Sequence, residues 1–172
     1  MTHRVALLLG SNHFDKEYYL YKARHTIESL VGPIEAHSEL YYSEPWGFHA
    51  ERKFANQALI IHTVLKPELL LHTILRAEQQ VGRDRNAEAA ERAQTGERYA
   101  SRTIDIDVLL YDDLVLDTPT LTLPHPRLAE REFALRPLSE IAPEWPHPVT
   151  GLTVQQMLDQ VSKEAVSRYE KI

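Results

Sequence analysis

Runs of apolar and β-branched residues along the chain predict its strands. These runs lie at residues 5–9, 34–42, 54–64, 104–110 and 114–116. The first run is apolar on both faces, which indicates a central strand, and Gly10-Ser11-Asn12 ends it. The run at 114–116 follows the turn residues Asp112-Asp113, and we expect it to return antiparallel to its neighbour.

Apolar residues that recur at spacings of three and four predict the helices. The predicted helices are one containing Leu20, Ala23, Ile27 and Leu30, one from Pro67 to Val81, a short one at 135–141 and a last one from Thr153 through Leu158. Gly32-Pro33 and Gly82 end the first two, Pro143 ends the third, and Thr153 can cap the last. The order β-α-β-β-α-β with a final hairpin indicates an α+β fold with helices packed on one mostly antiparallel sheet.

Composition and charge narrow the class of protein. The chain has 172 residues, 43% of them hydrophobic, which suits a single domain over 1–172 with a sizeable core. Its formal net charge of −6 argues against a protein that grips a nucleic-acid backbone. It has no cysteine, no signal-peptide core and no apolar run approaching about 18 residues. We therefore expect a cytoplasmic protein with no disulfide framework and no membrane span.

An acidic pair interrupts the apolar run at 104–110. Side chains alternate along a strand, so Asp105 and Asp107 share one face while Ile104, Ile106, Val108 and Leu110 share the other. Neighbouring carboxylates raise the free energy of each other's ionised form, so a cation should lie beside them. The cation is either a nearby arginine or a hard divalent ion such as Mg²⁺, which binds carboxylates together with substrate phosphates. Simple exposure of both carboxylates to solvent is the third alternative.

Three further features are candidates for chemistry. Glu78 lies on the apolar stripe of the second predicted helix, either at its rim or facing a polar pocket. His125 stands between two prolines, which fix its backbone, and is either structural or catalytic. The charged segment 83–102 leads into the aspartate strand and contains a predicted helical stretch at 87–93. Its arginines are Arg83, Arg85, Arg92, Arg98 and Arg102.

Several motifs together resemble one enzyme family. Arg98-x-Ala100-Ser101-Arg102-x-x-Asp105-x-Asp107-Val108-Leu109 is similar to the signature of the 6-hydroxymethyl-7,8-dihydropterin pyrophosphokinases of folate biosynthesis. The motifs that resemble the family in the same order are Gly10-Ser11-Asn12, Phe54-x-Asn56, Glu78 with Gly82-Arg83, and Leu123-Pro124-His125-Pro126-Arg127. The resemblance covers nearly the whole chain. It implies a ferredoxin-like α/β sandwich and a Mg²⁺-dependent transfer of pyrophosphate from the co-substrate ATP to the pterin hydroxymethyl group, with release of AMP.

The resemblance also implies a role for each candidate residue. Asp105 and Asp107 would hold two Mg²⁺ ions and would be catalytic together with Arg98 and Arg102. The ATP-binding residues would be Glu78, Arg85, Arg98, Arg102, Val108, Thr122, His125 and Arg131. The pterin-binding residues would be Ser43, Trp46, Phe54, Asn56, Tyr99 and Phe133, with the two phenylalanines as stacking faces. The implied partners are small-molecule substrates, with no nucleic acid and no membrane, and a monomer is expected.

The chain departs from the family pattern in places. Leu75 stands where many members carry a polar residue, and Tyr99-Ala100-Ser101 replaces a more usual Trp-Gly-Pro. The interval between Arg85 and Arg98 is longer than is typical, so either Arg92 or Arg98 closes over the substrates. We hypothesise that 86–101 is a lid that excludes water when both substrates are bound.

Two alternatives lie outside the family. A sheet with exposed aromatic side chains is also typical of RNA-binding modules, because such sheets stack bases. The chain has no Gly-aromatic RNA-binding signature, and its acidic balance speaks against that function. The second alternative is a structural or interaction protein in which the aspartate pair forms salt bridges.

Overall fold

The computed structural model describes residues 1–43, 53–83, 89–90, 93–94 and 103–170, with side chains through residue 163. The strands are β1 (His3–Ser11), β2 (Ile34–His37), β3 (Tyr41–Ser43), β4 (Phe54–Thr63), β5 (Asp105–Tyr111), β6 (Leu116–Asp117) and β7 (Thr122–Leu123). The helices are α1 (Lys16–Leu30), α2 (Pro67–Val81), α3 (Glu132–Ile141) and α4 (Val154–Glu170). Residues 89–90 and 93–94 are also helical, and the rest of the stretch predicted at 87–93 lies outside the described residues.

A five-stranded antiparallel sheet forms the centre of the fold. Its strands follow the order β2-β4-β1-β5, and β3 also pairs with β4. The apolar run at 5–9 is the core of β1, which lies between β4 and β5 as its two-sided apolar pattern predicts. Strands β6 and β7 form a separate two-stranded sheet. The antiparallel sheet and the flanking helices confirm the predicted α+β class.

The two faces of the sheet bury separate hydrophobic clusters. Val5, Leu7 and Leu9 of β1 face the cluster that contains the apolar stripes of α1 and α2. Ala6 and Leu8 face the other cluster, which contains residues of α3 and α4. Helices therefore cover both faces of the sheet.

A β-bulge corrects the predicted facing of β5. Leu7 pairs with Val108 but Ala6 pairs with Leu110, so Leu109 is an extra residue on β5. Upstream of the bulge, Ile104, Ile106 and Val108 share the cluster of α1 and α2, as the alternation predicts. Downstream, Leu110 lies in the opposite cluster, so its predicted place beside Ile104, Ile106 and Val108 is wrong.

Two other strand predictions are also corrected. The strand predicted at 34–42 is two strands, because Ser38 interrupts the pairing: its hydroxyl accepts the Ala58 N–H at 3.0 Å and donates to Glu39 O at 2.7 Å. The segment predicted at 114–116 does not return along β5. After β5, the Leu114 N–H donates to Tyr111 O at 3.0 Å and closes a turn. Leu116, the last residue of the predicted segment, begins β6, which pairs with β7 and not with β5.

The helix boundaries agree closely with the sequence pattern. Helix α2 begins at Pro67 and ends at Val81, and the positive φ of 127° at Gly82 explains why a glycine stops it. At the start of α4, Thr153 Oγ1 accepts the Gln156 N–H and Gln156 Oε1 accepts the Thr153 N–H, which is a capping box. Helix α3 begins earlier than predicted, and α4 continues past Leu158 to Glu170. In the described parts of the chain, every helix is too short or too polar to cross a bilayer.

Candidate active site

A row of paired residues crosses one end of the sheet. Asp105 on β5 pairs with Gly10 on β1, Gly10 pairs with Asn56 on β4, and Asn56 pairs with Tyr41 on β3. Paired residues point to the same face of a sheet, and residues two apart on one strand do the same. Asp107 and Phe54 therefore lie on the same face as the row. The sequence places these residues far apart, and the antiparallel register brings them together.

Arginines lie beside both carboxylates of β5. Arg83 Nη1 is 3.0 Å from Asp105 Oδ1, and Arg131 Nη1 is 4.0 Å from Asp107 Oδ2. The predicted cations are thus present, and those among the described residues follow α2 and precede α3. The side chains of Asp105 and Asp107 keep 24% and 30% exposure, so neither side chain is fully buried.

Glu78 faces a polar interior and not the rim of its helix. Its side chain is 3% exposed, and its Oε2 accepts from Arg83 Nη1 at 3.2 Å and from the Ile106 N–H at 2.9 Å. Because β5 is the edge strand, the Ile106 N–H points away from β1 and needs a partner of this kind. Glu78 thereby ties the end of α2 to the aspartate strand, and its role in ATP binding stays a prediction.

Three predicted ATP-binding residues and one predicted metal ligand line one cavity. The cavity has a volume of about 260 Å³, and Asp107, Val108, Thr122 and His125 line it. His125 is anchored to β5 because its N–H donates to Leu109 O at 2.9 Å. The segment from β7 to His125 thus forms one wall of the cavity beside the carboxylate of Asp107. Leu75, which departs from the family pattern, is 37% exposed and is absent from this lining.

His125 is held as a neutral imidazole. Burial and the positive charge of Arg131 lower its pKa from 6.5 to about 4, although Asp105 acts in the opposite direction. Its Nδ1 lies 3.2 Å from the Arg127 N–H and accepts from it. A neutral ring with an accepting Nδ1 carries its proton on Nε2. His125 is therefore a hydrogen-bond donor at neutral pH.

The amide of Asn56 is oriented by β3. Asn56 is 3% exposed, and its Nδ2 donates to Ser43 Oγ at 2.7 Å and to Tyr41 O at 3.4 Å. The Oδ1 atom consequently faces Gly10, where an added Cβ would lie 3.4 Å away from it. Ser43 and Phe54 pair with each other at the same end of the sheet. Three predicted pterin residues are thus brought together, with an acceptor oxygen directed over the glycine.

Arg131 lies beside both a predicted pterin-binding residue and a predicted metal ligand. Its guanidinium lies 5.5 Å from the centre of the Phe133 ring, a cation–π distance, while its Nη1 approaches Asp107. Phe133 lies in the first turn of α3 and is half-buried against the cluster of α3 and α4. A predicted stacking ring and a predicted metal ligand therefore share one arginine.

The remaining predicted site residues lie outside the described residues. These are Trp46, Arg85, Arg98, Tyr99 and Arg102. Arg92 and most of the proposed lid at 86–101 also fall there. Their roles stay predictions.

Two residues of the site received no individual role from the sequence. Arg83 binds both Glu78 and Asp105, and Gly10 lies between Asp105 and Asn56. The sequence does contain a signal for Arg83. The carboxylate of Glu78 on an apolar stripe needs a cation, and Arg83 directly follows the glycine that ends the helix. No signal in the sequence alone identifies Gly10 as the centre of the row, since that depends on strand register.

The described residues contain no cluster of three His, Cys, Asp or Glu side chains that could hold a metal ion. Magnesium does not require such a cluster, because waters and substrate phosphates complete its shell around one or two carboxylates. The donor set of Asp105 and Asp107 therefore fits Mg²⁺ better than a metal that needs an all-protein site.

Comparison with known proteins assigns the family. The family model of 7,8-dihydro-6-hydroxymethylpterin-pyrophosphokinase (HPPK) matches residues 6–143. A 2-amino-4-hydroxy-6-hydroxymethyldihydropteridine pyrophosphokinase of Aquifex aeolicus is 41% identical over 145 residues, 84% of this chain and 84% of that protein. The enzyme of the same name from Methylorubrum extorquens is 36% identical over 168 residues, 97% of this chain and 99% of that protein.

A solved structure agrees in fold. The Plasmodium falciparum HPPK-DHPS triple mutant matches 98% of this chain with a TM-score of 0.77 at 16% sequence identity. The chain spans 45% of that longer protein, and at this identity the match concerns the fold alone. The family match and the two relatives decide between the enzyme and the RNA-binding or structural alternatives. The chain belongs to the 7,8-dihydro-6-hydroxymethylpterin-pyrophosphokinase (HPPK) family and is an enzyme of that family.

Proposed function

We propose that this chain transfers the pyrophosphate group of ATP to the hydroxymethyl group of 6-hydroxymethyl-7,8-dihydropterin and releases AMP, as a step of folate biosynthesis. The observation that carries the proposal is the row across the sheet, in which Gly10 separates Asp105 from Asn56. A carboxylate pair suits metal-bound phosphates, and a buried amide suits the edge of a heterocycle. The two substrates would then meet on the Asp105 side of Gly10, with the pterin over the glycine.

The carboxylate pair would hold two Mg²⁺ ions. Asp105 and Asp107 are hard oxygen donors on one strand face, and both keep exposed surface. Bound Mg²⁺ would stabilise negative charge on the phosphate oxygens and lower the pKa of the pterin hydroxyl. Arg83 would orient Asp105, and Glu78 would hold Arg83 and the backbone of Ile106 in place.

The nucleotide would occupy the cavity beside Asp107. Val108 and Thr122 line it, and His125 would donate its Nε2–H to a phosphate oxygen. Because the ring is neutral, this contact would persist unchanged through physiological pH. Arg131 would add a planar cation suited to phosphate oxygens. Arg85, Arg98 and Arg102 would complete the phosphate site by resemblance to the family.

The pterin would lie across the glycine. Asn56 Oδ1 would accept a hydrogen bond from the pterin edge, because Nδ2 already donates to Ser43. Phe54 and Phe133 would supply stacking faces on either side of the flat ring, worth about 0.5–1.5 kcal/mol per pair beyond buried area. Trp46 and Tyr99 would complete the pocket by resemblance to the family.

The reaction needs no protein nucleophile. The pterin hydroxyl oxygen forms a bond to the β-phosphorus of ATP, and the bond from that phosphorus to the α,β-bridging oxygen breaks. The hydroxyl proton passes to solvent water, and AMP leaves with the bridging oxygen. Catalysis of this kind depends on positioning and on stabilisation of charge, which suits a site of carboxylates, arginines and a neutral histidine.

The protein would act as one small unit. Residues 1–172 would form a single catalytic domain that acts as a monomer in the cytoplasm. Its partners would be the two small-molecule substrates, without nucleic acid. The net charge of −6 supports small-molecule substrates over nucleic acid, because a protein that binds nucleic acid usually has a basic surface. The phosphates of ATP would need only a local cluster of arginines.

Measuring AMP formed from ATP tests the function directly. With Mg²⁺ present, we expect AMP only when the reduced 6-hydroxymethylpterin is also present, in a ratio of one AMP per pterin diphosphate. The control replaces the substrate by a reduced pterin that lacks the hydroxymethyl oxygen. Equal AMP formation with and without the hydroxymethyl group would overturn the proposed reaction.

A further inference from the structure

The cavity beside Asp107 has walls from distant parts of the chain. Leu71 of α2 forms one side, and the segment between β6 and β7, residues 118–121, forms the opposite rim. The segment is folded on itself, because Thr118 N–H donates to Leu121 O and Leu121 N–H donates to Thr118 Oγ1, both at 3.0 Å. Those bonds fix the shape of the turn but not its distance from α2.

Glu68 connects the two walls. It lies in the first turn of α2, three residues before Leu71, so both side chains lie on the same side of the helix. Thr120 Oγ1 lies 2.9 and 3.0 Å from the two carboxylate oxygens of Glu68, and Thr118 Oγ1 lies 3.2 Å from Oε1. Thr118 Oγ1 also lies 3.0 Å from Leu121 O, and its single proton is donated to one acceptor at a time. The Thr120 hydroxyl, which faces both carboxylate oxygens, is therefore the main contact of Glu68 with the opposite rim.

A carboxylate suits this task for a chemical reason. An ionised carboxylate only accepts hydrogen bonds and has about four acceptor positions, so it can bind two hydroxyl groups at once. The contact is exposed, so its effect on overall stability is small. Its effect on the separation of two walls of a cavity is direct.

We propose that Glu68 is a positioning residue for the nucleotide: it holds the Thr118–Thr120 rim against α2 and so keeps the cavity at the width the nucleotide needs. This inference rests on the proposed function, because the cavity is taken as the ATP site. Without Glu68, the rim must be ordered when ATP binds, and that cost reduces affinity. Glu68 touches no reacting atom, so the chemical step itself is unaffected.

A simpler role for Glu68 predicts something different. An acidic residue in the first turn of a helix interacts favourably with the helix dipole. That interaction depends on the charge, and it changes protein stability without changing ATP affinity. Glu68→Gln separates the two roles, because the amide loses the charge but keeps an oxygen that accepts from the threonine hydroxyls.

The test is equilibrium binding of an ATP analogue with a methylene α,β bridge, in the presence of Mg²⁺ and without pterin. We expect Glu68→Ala to weaken binding about fivefold, and Glu68→Gln to stay within about twofold of wild type. In turnover, KM for ATP should rise about fivefold in Glu68→Ala with kcat within about twofold. The doubly substituted Thr118→Val, Thr120→Val protein should show the same loss, and it replaces Glu68→Ala if that variant does not fold.

The matched control is Glu35→Ala. Glu35 also bridges elements, since it binds Arg4 at 3.0 Å and His62 at 2.6 Å, but those residues lie away from the cavity. Its ATP affinity should equal that of wild type. Equal affinity in Glu68→Ala and wild type would overturn the inference, as would equal losses in Glu68→Ala and Glu68→Gln, or in Glu68→Ala and Glu35→Ala. Failure of the proposed function is distinct, because wild type itself would then bind no analogue or form no pterin-dependent AMP.

Discussion

Replacing Gly10 by alanine tests whether a flat substrate lies on the sheet between Asp105 and Asn56. A Cβ at this position would lie 3.4 Å from Asn56 Oδ1 and 4.0 Å from Phe54 Cδ1, which are ordinary contacts. The backbone of Gly10 does not have a positive φ, so alanine fits without strain. Because glycine in a strand loses more backbone entropy on folding, Gly10→Ala should raise the free energy of unfolding by about 0.5–1 kcal/mol.

The same methyl group should weaken the pterin site. It would stand in the space above the row, where the proposed pterin makes its contacts. Overpacking by one methyl group costs about 1–3 kcal/mol, which corresponds to about a 5- to 150-fold loss in kcat/KM for the pterin. A protein that is more stable and yet less active is the expected combination.

The assay compares the two substrates within one variant. We would measure pterin-dependent AMP formation while each substrate is varied in turn, and urea unfolding in parallel. The KM for ATP serves as the internal control and should stay within about twofold, since the nucleotide cavity lies beyond Asp107. An unchanged kcat/KM for the pterin would refute the placement of the ring, as would an equal rise in KM for both substrates.

Three further predictions concern stability and ionisation. Glu78→Ala removes the buried carboxylate that binds Arg83, so the free energy of unfolding in urea should fall by about 3–5 kcal/mol, and a fall below about 1 kcal/mol would contradict the buried pair. In an NMR titration, the His125 ring should show a pKa near 4, and a value near the ordinary 6.5 would contradict its neutral, buried state. Since the unfolded state binds more protons between these values, His125 should make stability rise with pH from about 4 to about 6.5. Thr153→Ala breaks the capping box with Gln156 and should lower stability by about 1 kcal/mol with both KM values unchanged, whereas an unchanged unfolding midpoint would show that the cap contributes nothing.

Local signals made much of the fold predictable. The apolar run of β1, the period of α2 and its glycine stop depend on neighbours in sequence, and the structure confirms each of them. The predicted sheet face of Leu110 is wrong, because the bulge before it depends on how β5 pairs with β1 and not on the residues next to it in sequence. The single strand expected at 34–42 was wrong because Ser38 uses its side chain to bond β4, which a hydrophobic pattern does not reveal.

The site was predictable in residue type but not in arrangement. The need of Asp105 and Asp107 for cations followed from their spacing, and arginines do lie beside both. The identity of those arginines did not follow, because Arg83 reaches Asp105 from the end of α2 and Arg131 reaches Asp107 from the start of α3. The same holds for Gly10 and Glu68, whose neighbours are set by strand register and by a turn near β6.

In the proposed reaction, Asp105 and Asp107 form the platform on which ATP is activated. The most direct test compares pterin-dependent AMP formation in wild type, Asp107→Asn and the control Asp113→Asn. Asp113 is an exposed residue just after the same strand. We expect Asp107→Asn to lose at least about 100-fold in kcat while its free energy of unfolding stays within about 1 kcal/mol of wild type. Asp113→Asn should match wild type in both measurements. Near wild-type turnover in Asp107→Asn would contradict a metal-binding role for the pair and leave the aspartates as partners of arginines alone.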